Sequence, residues 1–155
     1  MRALERLVRL LDGRAVVQQR QPLYRAFWAP AFVAPNGHWF SLEPGRAAEY
    51  IEMHRGVAAA SGWRPFLAKC MPAGPLRLLE LPGNHVLQFA QAFDGHWNDA
   101  MLAQALPAAF ELLALGPLDG IFRPKAEGRS EVFLTDPGGR LLQQPMASAD
   151  PRQSE

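Results

Sequence analysis

The chain has 155 residues, of which 48% are hydrophobic and 20% are charged, as is typical of one globular domain. A formal net charge of +1 argues against a dedicated nucleic-acid-binding protein, for which a strong basic excess is expected. The single cysteine, Cys70, excludes an internal disulfide and the zinc sites that are built from several cysteines.

The apolar runs are shorter than the roughly 20 residues that a membrane-spanning helix needs. The N-terminus also lacks a long apolar run followed by a small-residue cleavage site, which argues against a secretory signal peptide. We therefore expect a protein without a membrane span. It would be cytoplasmic, or delivered into a target cell without a cleaved signal.

The first segment of the chain predicts an amphipathic helix over residues 2–12. Leu4, Leu7 and Leu11 fall on one helical face, and Gly13 follows as a plausible stop. Such a helix packs on its own domain or, because it is rich in arginine, docks on a partner or a membrane surface.

Hydrophobic periodicity and turn residues predict the remaining elements. In chain order these are a strand at 22–28, a loop at 29–37, a strand at 38–41, a helix at 44–60, strands at 64–71 and 76–81, a short helix at 89–93, a helical region at 98–115 divided by Pro107, strands at 118–122 and 130–135, a turn at 136–139 and a strand at 140–143. Because this order lacks a regular βαβ alternation, we expect the α+β class.

The pattern predicts one domain over residues 1–143, in which residues 1–20 form the N-terminal helix and a linker. Residues 144–155 contain two prolines and small polar residues, so we expect a disordered tail there.

Several common catalytic motifs are missing from the sequence. It has no Gly-rich dinucleotide fingerprint, no P-loop and no Gly-x-Ser-x-Gly elbow. Its four histidines are widely spaced and give no support for a metal site: His38, His54, His85 and His96. Cys70 lies in an apolar strand, where a lone cysteine is typical of the core rather than of a nucleophile.

Three segments carry the functional interpretation. They are Leu23-Tyr24-Arg25-Ala26-Phe27; Gly37-His38-Trp39-Phe40-Ser41, followed by Ala47-Ala48 and Tyr50; and Leu118-Asp119-Gly120-Ile121-Phe122, followed by Ser130-Glu131-Val132-Phe133-Leu134-Thr135-Asp136-Pro137. In this order and spacing, over roughly residues 22–143, they resemble the ADP-ribosyltransferase superfamily. Its members are NAD-using enzymes found among bacterial and phage toxins and effectors.

The resemblance implies a split β core of two packed, mainly antiparallel sheets flanked by helices, with NAD as co-substrate and no metal. It implies that Glu131 is catalytic, because a carboxylate stabilises the cation-like ribose that forms when the bond to nicotinamide breaks. The same resemblance assigns the binding of NAD to Arg25, His38, Trp39, Phe40, Ser41 and Tyr50.

The acceptor of the ADP-ribose stays open. Many members that modify arginine have Glu two positions before the catalytic Glu, where this chain has Arg129. The loops at 29–37 and 123–129 are expected to set acceptor specificity. A toxin or effector of this kind also implies an immunity or antitoxin protein as a partner.

Three alternatives remain beside a mono-ADP-ribosyltransferase. In an NAD glycohydrolase, water replaces the acceptor. A catalytically silent domain of the same fold would serve only for binding. The third is an unrelated α+β interaction protein whose basic N-terminal helix docks on a partner.

Overall fold

The computed structural model describes residues 2–31, 37–125 and 129–145. In chain order, the elements within these ranges are α1 (Ala3–Leu11), β1 (Val16–Gln19), β2 (Leu23–Ala29), β3 (Trp39–Ser41), α2 (Pro44–Met53), α3 (Arg55–Ala60), β4 (Arg64–Pro72), β5 (Leu76–Glu80), α4 (His85–Ala92), α5 (Asp99–Leu112), β6 (Gly120–Arg123), β7 (Glu131–Leu134), α6 (Pro137–Arg140) and β8 (Leu141–Pro145).

The strands of the described residues form one sheet in the order β1-β5-β6-β7-β3-β2-β4-β8. Its pairs are antiparallel except for the parallel pair β5 and β6. The sequence predicted two sheets, and this was wrong, because β3 pairs with β7 from Trp39↔Phe133 to Ser41↔Glu131 and so joins the two halves. The expected mixture of helices with a mainly antiparallel sheet is confirmed.

The sheet curls so that its inner face encloses an apolar core. Side chains from both halves of the strand order meet there, including Leu78 of β5, Val132 of β7 and Cys70 of β4. Cys70 is fully buried, which confirms its predicted core position, and burial raises the pKa of its thiol to about 11. A thiol with so high a pKa is not an activated nucleophile.

Helices cover two separate areas of the outer face. On one half of the sheet, α1 and α5 pack through Leu7, Leu106 and Phe110 around Phe133 of β7. On the other half, Ile51 of α2 packs against Ala26 of β2. Since α1 packs on its own domain through Leu7 and Leu11, the helix predicted at the N-terminus is part of the core.

Two helices differ from the prediction. The single helix expected at 44–60 is α2 followed by α3, because His54 leaves helical geometry with φ −111° and ψ 9°. The region at 98–115 is the continuous helix α5, although Pro107 lies inside it. An interior proline removes one backbone hydrogen bond. The buried face that contains Leu106 and Phe110 nevertheless holds the helix together.

The two edge strands also differ from the prediction. Strand β1 lies in the segment that was expected to be a linker, and it pairs with β5 from Val16↔Leu79 to Gln19↔Leu76. Strand β8 runs to Pro145, two residues into the predicted disordered tail, because it pairs with β4 along its length. The rest of that predicted tail, residues 146–155, lies outside the described residues.

Candidate functional site

A cavity of about 350 Å³ opens on the outer face of the sheet. It lies between the area covered by α2 and the area covered by α5, and β2, β3 and the start of β7 form its floor. Its lining residues are Tyr24, Arg25, Ala26, Trp39, Phe40, Ser41, Arg46, Ala47, Tyr50, Met53, Asp99 and Glu131. Its volume is within the usual range of small-molecule sites.

The cavity follows from a break in strand pairing. Strand β2 pairs with β4 over its whole length, from Leu23↔Cys70 to Ala29↔Arg64. With β3 it shares the single pair Tyr24↔Ser41. Beyond that pair the two strands separate, and the space between them becomes part of the site.

Arg25 bridges the separated strands. Its Nη1 donates a hydrogen bond to the carbonyl oxygen of Trp39 at 2.9 Å, where a backbone ladder would otherwise continue. The guanidinium lies so close to Gly37 that a Cβ there would overlap it. Burial lowers the pKa of Arg25, while the nearby Tyr50 and Asp99 oppose that shift. An arginine stays protonated under such shifts, so the cavity contains a fixed positive charge.

Glu131 is the first residue of β7, and its side chain is 17% exposed. Its Oε1 lies 3.5 Å from Nζ of Lys125 and 3.7 Å from Nη2 of Arg46. Two cations therefore hold the carboxylate at the edge of the cavity.

Strand register places the polar side chains on one face. Ser41 lies directly opposite Glu131 on β7 and opposite Tyr24 on β2. Because directly opposite residues of antiparallel strands project to the same side of a sheet, all three side chains point to the outer face. Strand β3 thus brings together residues that are distant in the sequence.

Trp39 connects this strand to the helices. Its Nε1 donates a hydrogen bond to Oδ1 of Asp99, the first residue of α5, at 3.0 Å. Its ring also contacts His85 and Phe133, with centroid distances of 4.7 Å and 5.0 Å. Burial, together with the charges of Arg123 and Lys125, lowers the pKa of His85 to about 4. His85 is therefore neutral at pH 7.

The structure brings most of the sequence-predicted site residues together. Arg25, Trp39, Ser41, Tyr50 and Glu131 line the cavity, as does the nearly buried Phe40. His38 does not line it. Its Nδ1 lies 2.7 Å from the carbonyl oxygen of Leu134, to which it donates, and its ring stacks on Phe133. Whether these residues bind NAD stays a prediction.

Six residues of the lining were not predicted as site residues: Tyr24, Ala26, Arg46, Ala47, Met53 and Asp99. Arg46 follows the Pro44 that opens α2, and Asp99 follows the Asn98 that caps α5 through a bond from the Met101 amide. Their positions in first helical turns were readable from the sequence. Their approach to the cavity depends on how the helices pack.

The loops that were predicted to set acceptor specificity, 29–37 and 123–129, are described only in part, because residues 32–36 and 126–128 lie outside the described ranges. Within the described ranges, no group of three or more His, Cys, Asp and Glu side chains could hold a metal ion. Nor does this part of the chain contain a helix that is long and apolar enough to cross a membrane.

Comparison with known proteins gives one informative result. No protein-family model matches the chain. No curated protein matches it significantly. Among solved structures, the chain is similar to one from the M. tuberculosis MbcT–MbcA toxin–antitoxin complex, with a TM-score of 0.52 and 18% identity over 92% of this chain and 91% of that one. At this identity, the match shows a shared fold over nearly the whole length of both chains.

Proposed function

We propose that the cavity binds NAD and that the chain breaks the bond between nicotinamide and ribose, transferring ADP-ribose to an acceptor. One observation carries this proposal. Arg25, Ser41 and Glu131 are three of the residues that the resemblance to ADP-ribosyltransferases assigns to NAD chemistry, and all three line a single cavity. The shared fold with a chain of a toxin–antitoxin complex supports a role as a toxin whose activity is held in check by a partner protein.

Cleavage of the bond between nicotinamide and ribose depends mainly on where the charged groups of the cavity lie. As the bond from the anomeric carbon to the ring nitrogen breaks, its electron pair leaves with nicotinamide and the ribose becomes cation-like. The carboxylate of Glu131 stabilises that charge more strongly than it stabilises the neutral ribose, and this difference lowers the barrier. The acceptor then adds a lone pair to the anomeric carbon and releases a proton to solvent. If water is the acceptor, the product is free ADP-ribose.

The cations of the site serve the diphosphate. Arg25 uses one of its donors on the Trp39 carbonyl. Arg46 also lines the cavity, and its guanidinium pairs with Glu49 at 2.6 Å and faces Glu131 at 3.7 Å, so a diphosphate would share it with these carboxylates. Guanidinium groups match the geometry of phosphate oxygens, and charge-assisted hydrogen bonds of this type are the strong ones.

A catalytically silent binding domain is the second candidate, and a specific contact favours it. Glu131 already faces Arg46 and Lys125, so its carboxylate could serve to hold these two cations in place.

The deciding experiment measures nicotinamide release from NAD by the wild type, by Glu131→Gln and by Glu111→Gln. Glu111 is exposed on α5 and lines no part of this cavity, so it controls for loss of a surface charge. We expect Glu131→Gln to slow release by about 10²–10³, the usual cost of one well-placed electrostatic group. The control should match the wild type.

Equal rates for the wild type and Glu131→Gln would remove Glu131 from the mechanism. A wild type that binds NAD but releases no nicotinamide with any tested acceptor would favour the silent domain.

A further inference from the structure

A second cavity of about 260 Å³ lies beside the candidate site, between the end of β2, helices α2 and α3, and the turn that precedes β4. It is lined by Phe27, Trp28, Tyr50, His54, Val57, Ala58, Ser61 and Trp63. We call it the aromatic groove. Tyr50 lines both this groove and the candidate site, so the two cavities are adjacent.

The groove combines a fixed wall with an exposed apolar rim. Nε1 of Trp28 donates to the carbonyl oxygen of Ile51 at 3.1 Å, and the guanidinium of Arg55 lies 5.5 Å from the centre of the Trp28 ring. At the rim, Trp63 is 46% exposed and Val57 is 82% exposed. Adjoining exposed apolar side chains of this size mark binding surfaces more often than isolated ones do.

The groove continues the candidate site in one direction. Along the outer face of β2, the lining passes from Tyr24 in the site to Trp28 in the groove, a rise of about 13 Å. Along α2, it passes from Arg46 to His54, a rise of about 12 Å. A dinucleotide has two ring systems joined by two riboses and a diphosphate, and it can bridge such a distance.

We propose that the aromatic groove binds the adenine base of NAD; this rests on the proposed function, which places the nicotinamide ribose beside Glu131. The charges favour this orientation, because Arg25 and Arg46 lie at the candidate site, before the groove begins, where the diphosphate must pass. The groove offers aromatic faces for stacking a purine. Its polar groups include His54, whose ring lies 4.3 Å from that of Tyr50, and Ser61, whose hydroxyl donates to the carbonyl oxygen of Val57 at 3.1 Å and can still accept from the amino group of the base.

The test compares two ligands that differ in which base of NAD they contain. ADP-ribose is NAD without nicotinamide and keeps the adenine, whereas nicotinamide mononucleotide keeps nicotinamide, its ribose and one phosphate and lacks the adenine. The affinity of both is measured by calorimetry for the wild type, Trp63→Ala, Val57→Glu and the control Leu112→Ala. Leu112 is also a large exposed apolar residue, 64% exposed on α5, and it lies outside both cavities.

We expect Trp63→Ala to weaken ADP-ribose binding about tenfold, as the loss of one base–aromatic stack does. Nicotinamide mononucleotide should bind unchanged. Val57→Glu places a carboxylate at the rim without touching the core. It should also weaken the binding of ADP-ribose and leave that of nicotinamide mononucleotide unchanged. Leu112→Ala should bind both ligands like the wild type.

Unchanged ADP-ribose affinity in Trp63→Ala and Val57→Glu, with normal nicotinamide release by the wild type, would overturn the adenine site and leave the proposed function standing. An equal loss for both ligands would also overturn it, because Trp63 would then act on the whole site. If the wild type neither binds NAD nor releases nicotinamide, the proposed function fails and the adenine site fails with it.

Discussion

Two strand arginines show how the two halves of the sheet differ. Arg123 of β6 is fully buried and donates to the carbonyl oxygens of Leu81 and Gly83 and to Oε1 of Gln88. Arg25 of β2 has one hydrogen bond among the described residues, to Trp39, and it lines the cavity. Burial lowers the pKa of both.

The difference lies in how many donors the fold uses. Arg123 fixes the turn before α4 to the sheet, so its donors serve structure. Arg25 stands where β2 separates from β3, and most of its donors are left for a ligand. Sequence alone presents both as a charged residue within an apolar strand. Only the pairing of their strands shows which one lines a cavity.

The largest expected effect is on stability, at Arg123. Arg123→Ala leaves Leu81, Gly83 and Gln88 without their donor, and we expect the free energy of unfolding to fall by about 3 kcal/mol. Denaturant unfolding measures this. Arg123→Met restores much of the volume without the donors, so it separates the lost hydrogen bonds from the empty space. If Arg123→Met is as stable as the wild type, the hydrogen bonds contribute nothing.

Arg25→Ala should affect binding rather than stability. We expect NAD affinity to weaken by about 1.5–3 kcal/mol, the usual contribution of a hydrogen bond to a charged group. The free energy of unfolding should change by less than it does for Arg123→Ala. Calorimetry with NAD and denaturant unfolding on the same sample measure both. A large loss of stability with unchanged NAD affinity would mean that Arg25, like Arg123, serves the fold rather than a ligand.

Gly37→Ala sharpens the same prediction. The new Cβ would displace the Arg25 guanidinium without removing its charge. We expect weaker NAD binding than in the wild type and stronger binding than in Arg25→Ala. Affinity equal to that of the wild type would mean that the charge matters and its position does not.

Asp99 connects the cavity to the closed half of the sheet, and its replacement should have a smaller effect. Asp99→Ala removes the acceptor of the Trp39 indole and an acidic group from the first turn of α5. We expect a loss of about 1–2 kcal/mol in the free energy of unfolding. Asp99→Asn keeps an accepting oxygen and should lose less. If both variants unfold alike, the hydrogen bond to Trp39 adds no stability.

The last expected effect is a pH dependence at His85, which leaves stability at neutral pH unchanged. Its folded pKa of about 4 lies below the ordinary 6.5, so the unfolded chain binds the proton more readily than the folded protein does. Stability contributed by neutral His85 is therefore present above about pH 6.5 and is lost as the pH falls towards about 4. Melting temperatures across this range should fall less steeply for His85→Gln. If the melting temperatures of the wild type and His85→Gln fall in parallel with pH, His85 is not the source of this pH dependence.

The elements with strong local patterns were predictable from the sequence. The apolar alternation of β4 and the helical periodicity of α1 gave their positions to within a few residues. Strand β1 was missed because Val16–Gln19 has little pattern of its own and depends on pairing with β5. Pro107 was given too much weight, since buried packing along α5 outweighs one missing hydrogen bond.

The lining of the candidate site was predictable where a motif carried the residue. Arg25, Ser41 and Glu131 were each singled out by a short segment, and strand register brings Ser41 and Glu131 opposite each other. Arg46 and Asp99 were missed, because they reach the cavity only through the packing of α2 and α5. His38 was included because it adjoins Trp39 in the sequence, yet its ring lies on Phe133 outside the cavity.

The single pair between β2 and β3 makes an interior strand behave like an edge on one side. Beyond Tyr24, backbone groups of β2 that point away from β4 have no ladder partner on β3. A ligand that bonds to these groups would complete the sheet much as an added strand does, and it would be held only by the folded chain. Occupancy and folding are then thermodynamically linked, so the melting temperature would rise with the logarithm of the ligand concentration once that concentration exceeds Kd.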